Sequence, residues 1–96
     1  MDSTTFGSRL KAARRQVDSI DSAIARLLAR RLKTAERIGA LKKAAGRPAE
    51  DRKRELEVLA RAGAIAKAAG VPPAAVARVF SSIIAESKTI EKRLKK

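Results

Sequence analysis

The sequence predicts an all-α chain of three helices, one long and N-terminal and two shorter, that completes its core as a helical homodimer. Apolar residues recur in steps of three and four through most of the chain, the spacing of helices with one buried face. Strong punctuation falls at two places, Gly46-Arg47-Pro48 and Gly70-Val71-Pro72-Pro73. No stretch alternates with period two, and no Asn-Gly pair marks a hairpin.

The first helix is expected from about Ser8 to Ala45. Its stripe is Leu10, Ala13, Val17, Ile20, Ile24, Leu27, Leu28, Ala35, Ile38 and Leu41. At 1.5 Å per residue it would be roughly 55 Å long, about twice the diameter of a domain this size. Two further helices of the same chain cannot cover it all, so a second copy is expected to. The second helix starts after Pro48 with Asp51 as N-cap and stops at Gly70; Leu56, Leu59, Ala62, Ile65, Ala66 and Ala69 form its stripe. The third begins around Pro72-Pro73, where proline suits a first helical turn. Val76, Val79, Phe80, Ile83, Ile84, Ile90 and Leu94 make its apolar side.

Composition narrows the function. The 96 residues suffice for one small domain, 1–96, and 45% of them are hydrophobic, enough to build a core. About one residue in five is Ala, and the aromatic residues are two Phe, so the core must be assembled from small pieces. With no Cys and no His, zinc sites, disulfides, cysteine nucleophiles and histidine acid–base catalysis are excluded. Neither a metal nor a cofactor is expected. Lys and Arg number 23 against 10 Asp and Glu, a net charge of +13 that steers anionic ligands toward the chain. The sequence carries no zinc-finger framework and no set of stacking aromatics, so specific nucleic-acid binding is not expected. No apolar run approaches the ~20 residues needed to span a bilayer, and Met1 to Phe6 lacks the pattern of a secretion signal. The expected compartment is the cytoplasm.

The informative residues are those that interrupt the stripes. Arg31 lies seven after Ile24 and seven before Ile38, and Lys42 lies three turns further on, near the same face. Glu55 precedes Leu59 by four, Ser87 follows Ile83 and Ile84, and Glu91 is one turn beyond Ser87. Ionised groups are seldom buried without partners. One reading pairs Arg31 with Glu55 in the core or lets the long side chains reach solvent. Taken together, the five favour a polar cavity between helices, with the two cations implying an anionic ligand.

This pattern resembles the all-helical class of chorismate mutases. The resemblance is carried by Leu10-Lys11-Ala12-Ala13-Arg14, Val17-Asp18-Ser19-Ile20-Asp21, Leu27-Leu28-Ala29-Arg30-Arg31 and Ile38-Gly39-Ala40-Leu41-Lys42. It continues through Arg47-Pro48 with Asp51, Arg54-Glu55, and Ile83-Ile84-Ala85-Glu86-Ser87. It implies an intertwined homodimer with two equivalent active sites acting on chorismate, a small dicarboxylate, in phenylalanine and tyrosine biosynthesis. By the same resemblance Arg31 binds one carboxylate and Arg14 of the other subunit the second. Lys42 contacts a carboxylate and the ether oxygen, Glu55 holds the ring hydroxyl, and Asp51 and Ser87 position the substrate. Glu91 is the second group at the ether oxygen, where it must carry a proton to donate. Two positions depart from the usual pattern: Glu91 replaces a common Gln, and Lys88 replaces an apolar residue.

The rearrangement of chorismate to prephenate is an intramolecular pericyclic step. It needs no proton transfer and no covalent intermediate, and so none of the missing residue types. Orientation and fixed donors at the ether oxygen suffice. Related readings on the same fold are an isochorismate pyruvate lyase or a 4-amino-4-deoxychorismate mutase; Arg54-Glu55 favours the mutase acting on chorismate, because Glu55 supplies a partner for a ring hydroxyl. A catalytically weak relative that relies on a partner enzyme is a further alternative. From another class, a basic helical dimer binding nucleic acid would give Glu55 and Ser87 no special role.

Overall fold

A computed structural model describes residues 2–93. Its elements are α1 (Ser3–Ala44), α2 (Arg52–Ala68) and α3 (Pro73–Arg93). Leu94, expected on the apolar side of the third helix, lies outside the described residues.

The first helix starts five residues earlier than its apolar stripe suggests. The reason is Asp2, whose carboxylate accepts the Thr5 N–H at 2.8 Å while its carbonyl accepts the Phe6 N–H at 3.0 Å. That is an N-cap, and it satisfies donors that the first turn would otherwise leave open. The Thr5 backbone bond holds the Asp2 carboxyl below its ordinary range. A carboxyl lowered in the folded state stabilises above its unfolded pKa, and this contribution is lost as pH falls through the folded value. Asp51 caps α2 in the same way, accepting the Arg54 N–H at 3.1 Å.

Both of the first two helices end in the same glycine-dependent turn. Gly46 has φ +67 and Gly70 φ +74, the left-handed region that side chains with a Cβ disfavour. After α1, the Arg47 N–H reaches the Lys42 carbonyl at 2.8 Å and the Gly46 N–H the Lys43 carbonyl at 3.2 Å. After α2, Val71 bonds Ala66 at 2.9 Å and Gly70 bonds Lys67 at 3.1 Å. These paired bonds are a Schellman motif, and they close the last turn. Gly70→Ala is expected to cost about 1–2 kcal/mol by forcing a Cβ into that conformation, read as a lower urea midpoint with an unchanged slope. Space is not the obstacle, because nothing stands within 4 Å of a Cβ built there.

The chain divides into two units, one up to Arg31 and one from Leu32 onward. In the first, α1 carries its apolar stripe uncovered: Val17, Ile20, Ile24 and Leu27 are each between 52% and 58% exposed. In the second, α2 and α3 pack on each other. Its covered positions are mostly small: Ala35, Ala49, Ala62 and Ala66 are buried with Ile84.

Burial within the second unit differs from the expected stripes. Ile38 and Leu41 are exposed, while Ala35 and Gly39 are the buried residues of α1. The apolar sector of α1 is wider than the surface its own chain covers. The covered arc runs from Ala35 to Gly39, and Ile38 and Leu41 fall on the opposite flank. Leu56 and Ile65 of α2 and Val79 of α3 are likewise exposed. Among the described residues, no helix is long and apolar enough to cross a membrane.

Candidate active site

The inner face of α3 sets out the polar residues in register. Ile84, Ser87 and Glu91 follow one another at steps of three and four and are all buried, with Lys88 half-buried between them. Glu55 of α2 is the third buried polar side chain: Glu55 is 9% exposed, Ser87 7% and Glu91 7%.

Lys42 joins α1 to α3. Its ammonium donates to Glu91 Oε1 at 2.8 Å and to the Ala49 carbonyl at 2.8 Å. The second bond ties Lys42 to the segment after Pro48 through the buried Ala49. An ammonium has three N–H groups, so one remains beyond these two. Charge-assisted bonds of this length are the strong ones.

The Glu55 carboxylate lies between two cations. Oε1 is 3.6 Å from Arg52 Nη1, three residues earlier on the same helix, and Oε2 is 3.3 Å from Lys88 Nζ. Oε2 is shut off from solvent and has no hydrogen-bond partner, so Lys88 meets it as a charge rather than in donor geometry. Lys88 also reaches Glu50 Oε1 at 3.6 Å. Within the second unit, the cations beside Glu55 are thus Arg52 and Lys88.

The remaining candidates sit as follows. The Ser87 hydroxyl donates to the Ile83 carbonyl at 3.0 Å, one turn back. Asp51 is engaged at the start of α2 as its cap. Arg31 is half-buried and Arg14 is exposed in the first unit. The structure therefore gathers Lys42, Glu55, Ser87 and Glu91 in covered positions of the second unit.

Three contacts escaped the sequence reading: the Ala49 carbonyl on Lys42, Arg52 on Glu55, and Glu50 on Lys88, whose own pairing with Glu55 was not expected either. A backbone carbonyl leaves no sequence signal. Lys88 did leave one, since it follows Ile84 by four and precedes Glu91 by three, which places it on the inner face.

The family model for chorismate mutase type II matches residues 13–92. The chain is 36% identical over 89 residues to a bifunctional chorismate mutase/prephenate dehydratase of Aquifex aeolicus (strain VF5), covering 90% of this chain and 25% of that one. It is 38% identical over 84 residues to the T-protein of Enterobacter agglomerans, covering 88% and 22%. The chain thus spans about a quarter of the length of these curated relatives. Among solved structures, a conserved hypothetical protein from Pyrococcus furiosus superposes with TM-score 0.73 at 40% identity, over 86% of this chain and 95% of that one. A match over most of the chain, with the inward polar residues inside it, settles the family: the chain belongs to chorismate mutase type II.

Proposed function

We propose that the chain, as a single functional domain, is a cytoplasmic chorismate mutase of phenylalanine and tyrosine biosynthesis, working as an intertwined homodimer with two sites. The observation that carries this reading is the Lys42–Glu91 pair at 2.8 Å, in a unit that also buries Glu55 and Ser87 and whose other buried residues are mostly alanine. Such polar groups are costly to bury for stability alone.

In this reading the site folds the enolpyruvyl side chain over the ring and stabilises charge on the ether oxygen as its C–O bond breaks. Arg31 and the partner subunit's Arg14 hold the two carboxylates, since a guanidinium grips a carboxylate bidentately. The third N–H of Lys42 donates to the ether oxygen, and Glu91, bonded to Lys42, stands as the second group beside that oxygen. Glu55 accepts the ring hydroxyl, and Ser87 and Asp51 line the substrate's other side. The Asp51 carboxylate keeps its capping bond throughout. The direct test is incubation of the purified protein with chorismate and identification of the product. Prephenate supports the reading; release of pyruvate from isochorismate without prephenate formation would assign the lyase instead.

Two substitutions examine the assigned roles. Glu91→Gln keeps an acceptor for Lys42 and supplies a permanent donor to the ether oxygen, so it is expected to retain activity within about tenfold. Glu91→Ala, which removes that donor, is expected to lose roughly a hundredfold or more in kcat/KM. Equal rates for the two would remove Glu91 from the site. Separately, Arg14→Ala and Arg31→Ala homodimers are each expected to be nearly inactive. Refolding a mixture of them rebuilds one intact site per heterodimer. No recovery from a mixture of dimeric variants would refute sharing between subunits.

A further inference from the structure

We propose that Lys88 is a positioning residue that makes this site prefer a substrate with a ring hydroxyl over one with a ring ammonium. The proposal rests on the reading of Glu55 as the group that receives the ring substituent. Its basis is the pair of contacts on the Glu55 carboxylate. Oε2 is closed to solvent and lies 3.3 Å from the Lys88 ammonium, outside hydrogen-bond geometry. Oε1 has Arg52 at 3.6 Å, but the Arg52 side chain is 70% exposed, so water screens its charge. Lys88, with a side chain 27% exposed, is screened far less.

A buried carboxylate with no cation beside it attracts an ammonium more strongly than a hydroxyl. Lys88 changes that balance. It already compensates the charge of Glu55, and it presents a like charge to any ammonium that approaches the carboxylate. In a poorly solvated site such repulsion acts over several ångströms. A hydroxyl is neutral, meets no repulsion, and still donates a hydrogen bond to the carboxylate. Glu50 offsets Lys88 only in part, because it lies 3.6 Å away with its own side chain 61% exposed. An apolar residue at position 88 would leave Glu55 with only the exposed Arg52 beside it and weaken this discrimination.

The experiment compares chorismate with 4-amino-4-deoxychorismate, whose ring amine is protonated at neutral pH. Both kcat/KM and the calorimetric Kd are measured for the full chain, for Lys88→Met, for Lys88→Gln and for Lys88→Arg. The preference for chorismate is expected to fall about tenfold or more in Lys88→Met and Lys88→Gln, mainly through tighter binding of the amino compound. Lys88→Arg keeps the charge and is expected to keep the preference within about threefold. Should Lys88→Met fail to fold, the Gln variant reads the same ratio with a polar side chain in place. An unchanged ratio in a folded neutral variant, or an equal shift in Lys88→Arg, overturns the proposal, because a merely structural lysine would not affect one ring substituent more than the other. If the unaltered chain binds both compounds and rearranges neither, the mutase reading fails while the Kd ratio still decides the role of Lys88. Binding of neither overturns both.

Discussion

Lys42→Met is expected to lower kcat/KM for chorismate by roughly 10²–10³-fold, the effect of removing one fixed donor from an oxygen that gains negative charge. The same change also removes both observed bonds of Lys42, to Glu91 and to the Ala49 carbonyl. It strands a carboxylate that is 7% exposed, at a cost of about 1–3 kcal/mol. Activity and stability would thus fall together, and a single variant cannot separate them. The double variant Lys42→Met with Glu91→Leu can. Replacing both members of a covered ion pair by apolar side chains of similar size is often neutral or stabilising. Much of the lost stability is therefore expected to return, giving a coupling energy of about 0.5–3 kcal/mol in the cycle. Activity is expected to stay at the level of the single variant or below. Urea unfolding and prephenate formation are the two measurements. Activity that returns together with stability would mean that the pair serves only the fold.

The ends of the helices were legible because single residues dictate them. Gly46 and Gly70 stop α1 and α2 at positive φ, Asp51 caps α2, and Pro73 opens α3. Asp2 was equally informative, yet it lay outside the apolar stripe and the start of α1 was placed too late. The inward polar residues were legible as breaks in periodicity, and Glu55, Ser87 and Glu91 are buried as that pattern requires. Periodicity alone does not say which flank of a broad apolar sector its own chain covers, which is why Ile38 and Leu41 were expected inside and are exposed. It also leaves partners undetermined. Spacing does not name the partners of Glu55, and only the placement of α3 beside α2 brings Lys88 to it. Arg31 stood out as a break in the stripe, whereas Arg14 looks like any other surface charge on a basic helix; the carboxylate-binding role proposed for each rests on resemblance.

Ile24→Asp is expected to abolish the proposed dimer and with it activity at both sites. Ile24 is 56% exposed on a helix whose apolar neighbours Val17, Ile20 and Leu27 are just as bare. In an isolated chain, a substitution at such a position costs only about 0.5 kcal/mol, through helix propensity and lost local contact. In a dimer that covers the stripe the account is different. Each buried isoleucine side chain contributes about 1.5–3 kcal/mol, and two-fold symmetry counts every substitution twice. An aspartate in its place would also be desolvated without a partner. The total penalty is then on the order of 5 kcal/mol or more, enough to unfold or dissociate a small domain of ordinary stability. The two accounts differ by about tenfold in energy, so the stability measurement alone distinguishes them. The unaltered chain should scatter light as a dimer and unfold at a urea midpoint that rises with protein concentration, because association and folding are linked. The Asp variant should lose that dependence together with its activity. Because Arg14 of one subunit completes the site of the other in the proposed arrangement, no compact monomer should turn over chorismate. A compact, active monomer of either form would overturn the dimer and leave the stripe on α1 without its proposed cover.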